Sequence, residues 1–191
     1  MRDVFALEPA TQILANYSYV ISYPYMLEYF ALKSSLDAGD VVRGAHMAYG
    51  WMPTILELYP EPGKCDLGMA AQTLNEAKAG KDLTAEKIEA MAALVNNSLV
   101  GASKLLHFVA PQHFPIWDSK VYSYVHEQRP HHYRVNSVAT YLDYVKLLKE
   151  LANKPEFANF HSSVQRKLGY NVSPLRALEL VMFFNAPVYR G

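Results

Sequence analysis

Lys104 and Asp118 are the residues of this chain with the most chemistry in them. Lys104 sits in the apolar run Leu99-Val100-Gly101-Ala102-Ser103-Lys104-Leu105-Leu106-His107-Phe108-Val109. An ammonium there has three outlets: its stem can snorkel, it can pair with a carboxylate, or it can work as an amine nucleophile. The last role needs the unprotonated amine, which burial among apolar side chains favours. Asp118 follows Phe114-Pro115-Ile116-Trp117 and stands where a helix should begin at Ser119. By position it is a helix N-cap, accepting backbone N–H bonds at the positive end of the dipole, and in a compact fold it could also stabilise a cation developing nearby. His107 lies one helical turn beyond Lys104 on the same face, as a core histidine or as part of the same pocket.

The elements that must position these residues read as helices almost throughout, with no apolar-polar alternation of the kind a sheet requires. Helices are expected at 8–22, 24–37, 40–50, 53–59, 66–79, 84–99, 102–110, 118–128, 136–153, 156–168 and 174–185. Pro24 and Pro53 suit first-turn positions, Thr84 and Ser137 suit N-caps, and Ser173-Pro174 is an N-cap followed by proline at the first helical position. Gly39, Gly80 and Gly169 fall where helices should stop. The fold class is all-α, a single helical domain over 1–191. The run Pro60-Glu61-Pro62-Gly63-Lys64-Cys65-Asp66 divides it into lobes of about 1–60 and 66–191.

A hydrophobic content of 51% suffices for a buried core, and the fourteen Tyr, eight Phe and two Trp suggest many rings buried with their polar edge hydrated. A single Cys excludes a disulfide framework and a four-Cys zinc or iron–sulfur site, and suits a reducing compartment. No uninterrupted apolar stretch is long enough to cross a membrane, and no basic, small-residue leader opens the chain, so the expected location is the cytoplasm, with no membrane partner. Net charge is zero, yet residues 1–80 carry −4 and residues 81–191 carry +4. That balance argues against strong non-specific nucleic-acid binding but allows a local basic face in the second half, where Lys120 lies near the run Arg129-Pro130-His131-His132-Tyr133-Arg134 and Lys120, Arg129, His131, His132 and Arg134 are candidate DNA contacts. His126, His131 and His132 lack a carboxylate or Cys at zinc-ligand spacing, so no metal and no cofactor are expected. Arg176 and Glu179 read as an intrahelical ion pair.

Val100-Gly101-Ala102-Ser103-Lys104 and His113-Phe114-Pro115-Ile116-Trp117-Asp118-Ser119-Lys120-Val121 together resemble the core of the helix-hairpin-helix DNA glycosylases, and most of all the small bacterial and phage members that share the oxoguanine-glycosylase fold. In that superfamily a Val-Gly hairpin leads into a helix bearing, in bifunctional members, a nucleophilic lysine, and an aspartate opens the next helix. Here Asn97-Ser98-Leu99 stands in place of the usual Leu-Pro-Gly, and Lys104 comes one residue later after Val-Gly. The resemblance implies an all-α, two-lobed fold and DNA, damaged or single-stranded, as partner. It implies Lys104 attacking C1′ of a flipped-out nucleotide, Asp118 stabilising the sugar cation, and Trp51, His107 and Trp117 around the extruded base. A non-catalytic DNA- or nucleotide-binding module, or an interaction or defence domain with the same fold, would use the same sequence without the chemistry.

Overall fold

A computed structural model describes residues 1–52 and 54–189. Among these residues the chain forms α1 Val4–Leu7, α2 Ser18–Ala31, α3 Ala38–Trp51, α4 Leu67–Lys78, α5 Ala85–Leu94, α6 Leu99–Val109, α7 Ser119–His126, α8 His132–Val135, α9 Val138–Ala152, α10 Phe157–Leu168 and α11 Pro174–Phe184. A 3-10 turn covers Glu8–Ala10, and among the described residues two isolated bridges stand in for β-structure. The all-α reading holds. Among the described residues no helix is long and apolar enough to cross a membrane.

The helices gather into two compact units, residues 22–114 and residues 1–21 with 115–191. The linker at 60–66, expected to separate lobes, falls inside the first unit, and the second is assembled from both ends of the chain.

In the unit of residues 22–114, α6 is the central element. Ten of its eleven residues are buried, and it packs against α3, α4 and α5. Two glycines set how closely α3 and α6 approach. A Cβ on Gly101 would come within 2.3 Å of the Tyr49 hydroxyl, and one on Gly44 within 2.5 Å of the Phe30 ring and 2.9 Å of Leu105. At the start of α3, Asp37 and Asp40 form a reciprocal capping box, each side chain bonding the other's backbone N–H. Gly39 therefore lies in the first turn of α3 instead of ending a helix. Asp40 is 2% exposed and also accepts from the Tyr29 hydroxyl (2.8 Å), Lys33 Nζ (2.9 Å) and Arg43 Nη1 (3.0 Å).

The expected helix over 84–99 stops at Leu94. Asn96 (φ 61°) and Asn97 (φ 48°) take left-handed conformations, which asparagine tolerates better than most residues, and Ser98 then caps α6 by accepting from the Gly101 N–H at 3.2 Å. The expected helix at 53–59 is replaced over 54–59 by extended chain that pins this turn. Asn96 N donates to Glu57 O, Glu57 N to Asn96 Oδ1 (both 3.0 Å) and Tyr59 N to Leu94 O (2.9 Å). Pro53 lies outside the described residues.

In the other unit, α11 packs against α7, α9 and α10, with the rings of Trp117, Tyr141 and Tyr144 in the core. The first 21 residues are tied to the C-terminal helices: Lys167 Nζ reaches Glu8 Oε1 (2.7 Å) and Thr11 O (3.1 Å), and Asn185 Nδ2 donates to Thr11 Oγ1 (2.8 Å). Residues 11–17 are not helical, so the expected break at Pro24 moves: α2 begins at Ser18 and runs through Pro24. Proline lacks the N–H that would bond the Val20 carbonyl. The Tyr170 hydroxyl supplies that bond instead, at 2.8 Å. Thr84, Ser137 and Ser173 cap their helices as expected, and Gly169 (φ 80°) ends α10.

Two substitutions test this packing. Gly101→Ala should lower stability by about 1–3 kcal/mol through overpacking against Tyr49, read in denaturant melts, despite alanine's higher helix propensity. Burial pushes the Asp40 carboxyl up, but hydrogen bonds from Lys33, Tyr29 and the Asp37 N–H outweigh it and hold it at about 2. A carboxyl depressed below its ordinary value of about 3.9 contributes stability that is fully present above that value and is lost as pH falls toward 2. Asp40→Asn should cost about 1.5–3 kcal/mol at pH 7 and flatten the fall in stability between about pH 4 and 2.

Candidate functional site

Lys104 is the sixth residue of α6 and is 5% exposed. Its neighbour Ser103 is fully buried and returns its hydroxyl to the Val100 carbonyl at 3.0 Å. His107 is also fully buried. Its Nδ1 lies 2.7 Å from the Phe114 carbonyl, which can only accept, so Nδ1 carries the proton. In the neutral ring Nε2 is then the acceptor, and the Tyr23 hydroxyl donates to it at 2.7 Å. Both ring nitrogens thus tie α6 to α2 and to the connection after α6. Trp51, at the end of α3, is half-buried and sets its ring edge-on to Phe108 with centroids 5.3 Å apart. Lys104 and His107 both lie on α6, Trp51 meets that helix at Phe108, and all three belong to the unit of residues 22–114.

Trp117, Asp118, Lys120, Arg129, His131, His132 and Arg134 belong to the other unit. Asp118 is the N-cap of α7, its Oδ1 accepting from Lys120 N and Val121 N, both at 2.9 Å. Burial raises the Tyr144 phenol well above its ordinary range, and the Glu179 and Asp118 carboxylates raise it further while Arg176 opposes them. Asp118 and Glu179 therefore lie within electrostatic reach of one phenol. Glu179 forms the expected ion pair with Arg176, and both are almost wholly buried, which spacing alone does not reveal.

Trp117 corrects the sequence reading. Its ring is fully buried among Tyr122, His126, Tyr141 and Tyr144, the last at 4.9 Å, and its Nε1–H donates to the Val135 carbonyl at 2.8 Å. It is a core strut, with no face left for an extruded base. What it holds is α8, an element absent from the sequence expectations, and with it the basic run that precedes Val135. In that run His131, His132, Tyr133 and Arg134 are all exposed, and Arg134 Nη1 donates to Gln128 Oε1 at 2.7 Å. Burial, with the Arg134 charge beside it, pulls the His126 imidazole below its ordinary value.

Lys120 and Arg129 come together on an open groove of about 540 Å³ whose walls include Ser119, Ser123, Phe183 and Tyr189. Lys120 Nζ stands 4.3 Å above the Phe183 ring. Cations, hydroxyls and aromatic faces in one groove suit a ligand with both phosphate and base. The aromatic wall escaped the sequence reading because α11 meets α7 only through the fold. Among the described residues, no group of three or more His, Cys, Asp or Glu side chains could hold a metal ion.

Residues 59–185 match the model of a family of unknown function, DUF6308. The chain belongs to that family. The matched span of this DUF6308 protein runs from the segment that pins the 95–98 turn to the end of α11, so it takes in Lys104, Asp118 and most of the groove. No curated protein and no solved structure matches the chain.

Trp117→Phe tests the strut, because it keeps a ring but leaves the Val135 carbonyl without its donor. It should cost about 1–3 kcal/mol and speed amide exchange over 131–136. Unchanged exchange there would mean that the indole does not hold the loop.

Proposed function

We propose that this protein acts on DNA, excising a base from a flipped-out nucleotide with Lys104 as nucleophile and Asp118 as electrostatic partner. The observation that carries the reading is the groove at the head of α7, where Lys120 and Arg129 face the Phe183 and Tyr189 rings directly beside the Asp118 cap. Phosphates would meet the cations and a base the rings. Further support comes from the turn at 95–98, which sets two helices in a hairpin and is followed on α6 by Lys104, in the order that the resemblance to helix-hairpin-helix glycosylases implies.

The chemistry follows from those two side chains. The unprotonated Lys104 Nζ attacks C1′ as the N-glycosidic bond breaks, and the electron pair leaves with the base, which takes up a proton. Asp118 stabilises the positive charge that builds on the sugar. The aminal loses the ring oxygen from C1′ to give a Schiff base, and removal of a C2′ proton then expels the 3′ phosphate by β-elimination.

A second reading, a nucleic-acid-binding module without catalysis, is favoured by the groove and the loop at 128–134, since neither needs Lys104. One experiment separates the two. Incubation with duplexes bearing a damaged base or an abasic site, in the presence of borohydride, should yield a covalent adduct in the native chain and none in Lys104→Gln, while both chains bind DNA. Absence of an adduct from the native chain on every substrate sinks excision by Lys104, and DNA binding by both chains then supports the binding module.

A further inference from the structure

The run from Gln128 to Arg134 holds an aromatic surface that the excision chemistry leaves unused. Tyr133 is 80% exposed, the most exposed aromatic ring among the described residues. It is not loose: the His131 imidazole stacks on it with centroids 5.3 Å apart and planes at 26°, and His132 meets it edge-on at 5.9 Å. His132 is fixed in turn, its Nε2 accepting from Asn136 Nδ2 at 2.9 Å. Arg134 is held by Gln128, and Val135 anchors the run to the core through the Trp117 indole. Leaving a large ring in water while ordering its neighbours gains nothing from burial, so packing does not explain the arrangement.

We propose that Tyr133, backed by His131, is a stacking platform for an unpaired base, and that this face of the protein binds single-stranded nucleic acid. Arg129 belongs both to this run and to the groove with Lys120 and Phe183, so cations and rings occur in both. That combination suits a strand, in which charge and π-face recur with every nucleotide. A paired base offers no open face, which is why the platform selects single strands over duplex. The proposal rests on the reading that the protein acts on DNA and adds the strand that it grips outside the reacting nucleotide.

The test is binding of a labelled single strand of about 16 thymidines, within the span that such sites occupy, by fluorescence anisotropy. Tyr133→Ala should weaken it about 5- to 100-fold, and Tyr133→Phe should stay within about 2-fold of the native chain, because stacking needs the ring and not the hydroxyl. Arg129→Ala and Arg134→Ala should each lower the slope of log K against log salt by about 0.7. Because Tyr133 is exposed, the melting temperature of Tyr133→Ala should equal that of the native chain, which removes misfolding as a cause. Unchanged affinity in Tyr133→Ala overturns the proposal, as does equal loss on single strand and duplex, which would leave phosphate contact alone, or binding to anionic vesicles in place of the oligonucleotide. The measurement is repeated in Lys104→Gln: Tyr133-dependent binding with no borohydride adduct in the native chain sinks excision and keeps the platform, and the converse sinks the platform alone.

Discussion

The burial of α6 on nearly every side is the constraint from which the unit of residues 22–114 follows. A helix this deeply buried can keep a polar group only if something answers it, as the groups on and beside α6 show. Ser103 turns its hydroxyl back into the helix, His107 is fixed in one tautomer by Tyr23 and Phe114, and Ser98 supplies the cap that solvent would otherwise provide. The same crowding explains Gly101. In the sequence it reads as half of a hairpin Val-Gly, but in the fold it lies inside α6, where no side chain fits beneath Tyr49.

The two units place different demands on their candidate groups. Lys104 sits in a packed interior, where its position is set by a rigid helix. Asp118 sits at a helix end, where two backbone N–H bonds orient its carboxylate and the helix dipole favours its charge. One residue before it, the Trp117 indole reaches the Val135 carbonyl. Asp118 is thereby tied to the basic run through a buried bond made by its neighbour.

Much of this was legible in the chain. Helical periodicity and caps such as Thr84, Ser137 and Ser173-Pro174 are local signals, and they located most helices to within a few residues. The Asp118 cap was readable for the same reason. The larger misreadings have a partner distant in sequence as their cause. Pro24 should break a helix, and does not, because Tyr170 satisfies the carbonyl that it orphans. The 54–59 segment looks helical on its own but is drawn out by Asn96 and Leu94. Trp117 was assigned to a pocket because tryptophan in a suggestive motif attracts that reading, whereas its ring is claimed by α7 and α9. Phe183, Tyr189 and Tyr133 were missed because spacing along one helix says nothing about which rings a groove collects.

The unit built from both ends of the chain also sets an order of events during synthesis. Residues 1–21 leave the ribosome well before the groups that hold them, Lys167, Tyr170 and Asn185, are made. The middle segment, residues 22–114, has all its own partners in hand long before then and can condense as it emerges. The N-terminal segment must wait, with Val20 lacking its hydroxyl donor and Glu8 lacking its ammonium, until the loop closes over about 150 residues. Residues 1–21 therefore join their unit only after residues 22–114 have had time to condense and the helices that hold them exist.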